Sequence, residues 1–116
     1  MNHEPLINAL QVFGLKRIEV QVYVFLAKKG PCKGKDLVKG LKITKQQVYL
    51  VLKNLQKRGM TKATPTRPLI FTAVPIERVL DAFIKANIEE TQRMIHNKEE
   101  LLSSWRSITA KDDTKS

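Results

Sequence analysis

The chain has 116 residues, a hydrophobic fraction of 42% and a formal net charge of +10. This length is sufficient for one domain of ordinary size with an appended helix, and it excludes two independent cores. A single cysteine, Cys32, excludes an internal disulfide, and two distant histidines give no zinc-type cluster, so neither a metal nor another cofactor is expected. No run approaches the roughly 18 consecutive apolar residues of a membrane span, and the N-terminus lacks the basic segment followed by an apolar segment that a signal peptide has. Both observations favour a cytoplasmic protein without membrane contact.

The positive charge is concentrated in the first two thirds of the chain. Residues 1–75 contain 14 basic and 3 acidic side chains, a balance of +11, whereas residues 76–116 contain 7 basic and 8 acidic ones, a balance of −1. This asymmetry is typical of a polyanion-binding domain joined to a neutral element with another role, and nucleic acid is the favoured polyanion. The alternative interpretation is a merely solubilising surface.

Apolar residues at helical spacing predict three short helices in the first 42 residues. The first covers residues 5–13, and the second covers residues 16–29 and ends sharply at Gly30-Pro31. The third covers residues 35–41 and is expected to break near Gly40.

A fourth helix is predicted to begin at Thr44, because Thr44 and Gln47 have the spacing of a capping box. Gly59 is suited to end it. Its buried stripe is expected to be formed by Val48, Val51, Leu52 and Leu55. Two β-compatible runs follow, residues 60–64 and 69–74, and the residues between them predict a hairpin with an exposed turn.

The chain then continues from Ile76 to about Ile108 without glycine or proline, which predicts one helix of about 30 residues. Its apolar positions narrow to a heptad seam formed by Ile84, Ile88, Thr91, Ile95, Lys98, Leu102 and Trp105. Such a stripe predicts a homodimer, parallel or antiparallel, with its interface at Ile84, Ile88, Ile95, Leu102 and Trp105. The alternative is that this helix folds back on the first helix of its own domain.

A short helix, a tight break, a capped helix and a hairpin together form a helix-turn-helix with a wing. The predicted fold is therefore α+β and mostly helical, a winged helix-turn-helix with a long C-terminal dimerisation helix. We expect a DNA-binding domain over residues 1–75, the dimerisation helix over residues 76–108 and a disordered tail over residues 109–116.

In this architecture the second helix of the motif lies in the major groove, and the hairpin tip reaches the backbone or the minor groove. Lys45 is suited to guanine or phosphate, Gln46 to adenine, and Tyr49 to a phosphate or a thymine methyl unless it belongs to the core. Leu50 is expected to pack on a neighbouring helix rather than to touch a thymine methyl. The predicted DNA-binding residues are Lys33, Lys35, Lys45, Gln46, Tyr49, Lys53, Lys62 and Arg67.

Short motifs also occur in a characteristic order within residues 10–85. They are Phe13-Gly14-Leu15, Val22-Tyr23, Gly30-Pro31, Val48-Tyr49-Leu50-Val51-Leu52, Gly59, Arg67-Pro68 and Ala73-Val74-Pro75. In this order the chain resembles the archaeal TrmB-type transcriptional regulators, although it has Thr44 where members usually have proline. The resemblance implies DNA binding as a dimer, with transcriptional regulation or, for short members, an architectural role. Full-length relatives place a sugar-binding effector domain after the linking helix, and these 116 residues contain none, which leaves a small-molecule effector unassigned.

The sequence is compatible with three functions. The favoured one is a DNA-binding transcriptional regulator, homodimeric and nucleoid-associated, that binds duplex DNA in a sequence-dependent way. The first alternative is a nucleoid protein that coats DNA through phosphates. The second is a winged-helix adaptor between proteins, which the charge disfavours because it would need an acidic partner. An enzyme is not expected, since the sequence has no glycine-rich phosphate loop, no paired carboxylates in its basic half and no Ser/His/Asp set.

Overall fold

The computed structural model describes residues 3–111, which form six helices and a two-stranded antiparallel sheet. The elements in chain order are α1 (Glu4–Gln11), α2 (Arg17–Lys29), α3 (Gly34–Leu41), α4 (Lys45–Lys57), β1 (Thr61–Ala63), β2 (Phe71–Ala73), α5 (Ile76–His96) and α6 (Lys98–Thr109). This order confirms the predicted mostly helical α+β fold. Two compact units are present, one ending at Phe83 and the other beginning at Ile84.

Helix α4 begins where its capping residues predict. The hydroxyl of Thr44 accepts a hydrogen bond from the backbone N–H of Gln47 at 3.1 Å, and the Gln47 amide oxygen accepts one from the backbone N–H of Thr44 at 3.2 Å. Two backbone donors that the helix itself cannot satisfy are thereby paired. The predicted apolar stripe is buried, and it comprises Val48, Val51, Leu52 and Leu55. The inward face of α4 is therefore fixed, and the opposite face is presented to solvent.

Two acidic side chains of the basic half cap the preceding helices. Glu19 accepts a hydrogen bond from the backbone N–H of Lys16 at 2.8 Å, and Asp36 accepts one from that of Lys33 at 2.9 Å. These caps place the start of α2 one residue later than predicted and the start of α3 one residue earlier. They also explain why Glu19 is buried within a strongly basic domain.

The core of the first unit joins α2, α4 and the sheet. Tyr23 is buried in α2, and its hydroxyl donates a hydrogen bond to the backbone carbonyl of Val74. Burial, reinforced by the nearby charge of Glu77, raises the pKa of the Tyr23 phenol and keeps it a hydrogen-bond donor. Phe13 and Phe83 also pack with their ring centroids 5.1 Å apart. The first turns of α5 thus belong to this core.

The expected break of the third helix at Gly40 is wrong, because α3 continues through this residue. A Cβ atom at Gly40 would lie 2.2 Å from Cζ of Phe25, so glycine is needed here for the close approach of α2 and α3. The chain turns instead at Lys42, which adopts a left-handed conformation with φ of 56°. Gly40 is therefore required for helix packing and does not end the helix.

The single helix predicted from Ile76 to about Ile108 is also wrong, because the structure divides it at Asn97. This residue has φ of −95° and ψ of 7°, values away from those of a regular helix. Asparagine is unfavourable inside a helix, because its side chain competes with the backbone for hydrogen bonds. Glu99 and Glu100, just after it, favour a helix N-terminus through their interaction with the helix dipole. The seam is consequently shared between α5 and α6. The expected disorder of residues 109–116 concerns mainly residues 112–116, which lie outside the described part, while Thr109 still ends α6.

Candidate nucleic-acid interface

The outward face of α4 carries all five side chains predicted to lie there. Lys45, Gln46 and Lys53 are exposed, Tyr49 is 42% exposed and Leu50 is 61% exposed. The expectation that Leu50 packs on a neighbouring helix is wrong, because the buried stripe of α4 uses the opposite side of the helix. The face therefore combines two cations, an amide, a phenol and an isolated aliphatic side chain.

Tyr49 is neither a core residue nor a freely projecting side chain. Its ring makes an edge contact with Phe71, with the ring centroids 6.4 Å apart. A Cβ atom at Gly34 would lie 2.7 Å from the Tyr49 hydroxyl oxygen, so the missing side chain at Gly34 makes room for the phenol. Tyr49 is thereby held against the first turn of α3, at the side of α4 that faces the wing.

Tyr49 lies in an open groove of about 540 Å³ between α3, α4 and the wing, which we call the lysine groove. Its residues are Lys33, Gly34, Lys35, Val38, Lys39, Lys45, Tyr49, Pro68 and Leu69. Three of its four lysines were among the predicted binding residues, whereas Lys39 was missed. The spacing of Lys35 and Lys39, one helical turn apart, was the signal that places both on one face of α3. In the described part of the chain none of these lysines forms an ion pair.

The wing is a short hairpin with an ordered turn. Its strands pair Thr61 with Ala73, Lys62 with Thr72 and Ala63 with Phe71. Thr64 closes the turn, because its backbone N–H donates to the Ile70 carbonyl at 2.9 Å and its hydroxyl accepts from the Ile70 N–H at 3.1 Å. The Thr64 and Thr66 hydroxyls are also 2.7 Å apart. These bonds hold the segment that presents Arg67, which is exposed at the tip, while Lys62 is exposed on β1.

Other polar residues of the basic half are engaged within the domain. The Arg58 guanidinium donates to the backbone carbonyls of Phe13 at 2.8 Å and Gly14 at 3.3 Å. Arg17 pairs with Glu4 through contacts of 2.5 and 3.1 Å, and this hydrogen bond lowers the pKa of the Glu4 carboxyl. These two arginines are thus structural, in contrast to the lysines of the groove.

Cys32 is held inside the domain, away from the basic outer face. Cys32 is buried and joined to Phe71 by two backbone hydrogen bonds, of 3.1 and 2.8 Å. Burial raises the pKa of its thiol, which disfavours the nucleophilic thiolate. Within the same residues no group of three or more histidine, cysteine or acidic side chains could hold a metal ion. None of the helices described is both long enough and apolar enough to cross a bilayer.

The helix-turn-helix of α3 and α4, followed by a two-stranded wing, defines a winged-helix protein with a basic outer face. The sequence model of the sugar-specific transcriptional regulator TrmB family matches residues 10–77. The chain therefore belongs to the TrmB family, as its motifs predict.

Similar proteins agree with this assignment. The HTH-type sugar sensing transcriptional regulator TrmBL1 of Pyrococcus furiosus is 30% identical over 115 residues, which cover 90% of this chain and 33% of that protein. The chain thus spans about a third of the length of this curated relative. The solved structure of TrmBL2, an archaeal chromatin protein with a novel mode of DNA binding, has a TM-score of 0.79 at 23% identity and covers 95% of this chain and 43% of its own. The transcriptional regulator Tm0710 from Thermotoga maritima has a TM-score of 0.56 at 20% identity, with coverages of 90% and 85%. Both structures confirm the winged-helix fold.

Proposed function

We propose that this chain is a transcriptional regulator that binds duplex DNA as a homodimer. The observation that carries the proposal is the convergence of four lysines from α3, its N-cap and α4 on the lysine groove beside the wing, none of them ion-paired among the described residues. Cations without internal partners are suited to the phosphates of a duplex, whose neutralisation releases condensed counterions. Membership of the TrmB family supports the same function.

Within this proposal, α4 enters the major groove by its N-terminal half. Gln46 is exposed in the first turn of α4, where an amide can pair with N6 and N7 of adenine. Lys45 is beside it and serves guanine or a phosphate. Tyr49, held among the lysines of the groove, is better placed for a phosphate than for a base edge. Phosphate or minor-groove contacts are assigned to Lys33, Lys35, Lys53, Lys62 and Arg67.

A second copy of the chain is proposed to cover the C-terminal seam. From Ile84 to Lys111 every side chain except that of Leu102 is exposed, and Ile88 and Ile95 are exposed by 53% and 68%. Monomeric proteins rarely leave such an apolar stripe in water, and a partner helix would bury it. A two-fold dimer would also set two α4 helices about 34 Å apart, in successive major grooves. Such a protein would act at the nucleoid, in the cytoplasm.

An architectural role is the second candidate, and the likeness to TrmBL2, an archaeal chromatin protein, favours it. Under this alternative the lysines of the basic half carry the affinity, and α4 contributes little discrimination between bases. Both candidates require the lysine groove to meet phosphates. They differ in whether Gln46 distinguishes one sequence from another.

The salt dependence of DNA binding tests the phosphate contacts directly. We expect the slope of log K against log salt to flatten by about 0.9 for each alanine substitution that removes a true phosphate contact with duplex DNA. The variants are Lys33→Ala, Lys35→Ala, Lys53→Ala, Lys62→Ala and Arg67→Ala. Arg106→Ala is the matched control, because it removes an exposed positive charge from α6. An unchanged slope in all five variants would reduce the basic half to a solubilising surface.

A further inference from the structure

Leu50 places an exposed aliphatic side chain on the outward face of α4, between Gln46 and Lys53. Its neighbours one turn away along α4 are Gln46, Gln47, Lys53 and Asn54, all of them polar. A lone leucine among polar neighbours is too small for a protein-docking patch, which needs a contiguous apolar area.

An apolar group exists on the surface that α4 is proposed to meet. In the major groove the base edges present hydrogen-bond donors and acceptors, and thymine adds its C5-methyl group, the apolar feature of that pattern. We infer that Leu50 contacts a thymine methyl and makes the protein select thymine at one position of each half-site. This inference rests on the proposed binding of α4 in the major groove.

The position of the selected thymine follows from the helix geometry. Gln46 and Leu50 are four residues apart on the same face, which corresponds to about 6 Å along the helix axis. Successive nucleotides of one strand are about 3.4 Å apart along the duplex. The thymine contacted by Leu50 therefore lies within about two base pairs of the adenine assigned to Gln46. The two residues together specify a short A·T-containing core in each half-site.

Deoxyuridine provides the test, because it differs from thymidine only by the absence of the C5-methyl group. The duplex preferred by the full chain is prepared with each thymine replaced singly by deoxyuridine, and the affinity of each duplex is measured. We expect the wild-type protein to bind about fourfold more weakly at one thymine per half-site, the effect of one lost methyl contact. Leu50→Ala should bind the thymine and deoxyuridine duplexes equally well at that position.

Two controls separate this effect from a general loss of binding. Val12→Ala shortens another exposed aliphatic side chain, directly after α1, and should retain the full sensitivity to deoxyuridine. Thermal unfolding of Leu50→Ala should match that of the wild-type chain, because an exposed side chain contributes little to stability.

The possible outcomes distinguish this inference from the function on which it rests. If a preferred duplex exists and every deoxyuridine substitution affects wild type and Leu50→Ala alike, the contact is absent, although sequence-dependent binding stands. If the protein binds all duplexes equally, the proposed base recognition fails and the assignment of Leu50 fails with it.

Discussion

Introducing a charge into the C-terminal seam should convert the protein from a dimer into a monomer. We expect Ile88→Asp and Ile95→Asp each to halve the mass measured by sedimentation at micromolar concentration, because a carboxylate is costly to bury between two apolar helices. DNA affinity should fall by at least about 100-fold, since the second winged helix then loses the advantage of being tethered to the first.

A matched substitution on the same helix controls for this effect. Ala86 is exposed on the side of α5 away from Ile88, so Ala86→Asp adds the same charge outside the seam and should leave mass and affinity unchanged. A wild-type monomer at micromolar concentration, with unchanged affinity in both isoleucine variants, would remove the dimer from the proposal.

Replacement of Gln46 should have the largest effect on sequence selectivity. We expect Gln46→Ala to lower by about 1–3 kcal/mol the discrimination between the preferred duplex and one altered at a single A·T pair, the contribution of a bidentate base contact. Lys45→Ala should reduce selectivity if Lys45 meets guanine, and Tyr49→Ala should weaken binding to all duplexes similarly if it meets a phosphate. Paired titrations of the two duplexes measure these differences.

Gln56 offers the matched control for this prediction. It is an exposed glutamine in the last turns of the same helix, away from the N-terminal half that enters the groove, so Gln56→Ala should preserve the selectivity. Unchanged selectivity in all three variants, Lys45→Ala, Gln46→Ala and Tyr49→Ala, would contradict the assignment of base contacts to α4.

Local signals made α4 predictable from the sequence. The pairing of Thr44 with Gln47 depends on residues three positions apart, and the buried stripe depends on helical spacing, so neither needs knowledge of the rest of the chain. The exposure of the opposite face followed from the same spacing. Only Leu50 departed from expectation on this helix. It was expected to be buried because leucine is usually buried in proteins, and that general frequency does not determine the exposure of one particular leucine.

Features that depend on contacts distant in sequence could not be predicted. Gly40 is suited to a helix end by its residue type, yet the ring of Phe25, in another helix, requires it within a continuous helix. The orientation of Tyr49 likewise depends on the empty space at Gly34 and on Phe71. The break at Asn97 is different, because no glycine or proline marks it. The acidic residues that follow Asn97 were the available sign in the sequence that a new helix starts there.

The residues of the nucleic-acid interface were largely predictable from the sequence, but their arrangement in space was not. Charge and helix spacing identified Lys33, Lys35 and Lys45, whereas their arrangement around one groove required the tertiary structure. Sequence inspection also could not separate the arginines that serve the fold from those that remain available. Arg58 bonds to two backbone carbonyls more than 40 residues earlier, while Arg67 stays exposed at the wing tip.

Selection from random-sequence duplex DNA tests the central claim most directly, namely that this chain recognises DNA sequence through α4. The experiment is done with the full chain at about 150 mM salt, where phosphate attraction no longer obscures base contacts. We predict recovery of an approximately palindromic consensus, with half-sites centred about 34 Å apart and A·T pairs at the positions that face Gln46 and Leu50. Equal recovery of all sequences, with tight binding that disappears as salt is raised, would contradict the claim and leave a protein that coats DNA through its phosphates.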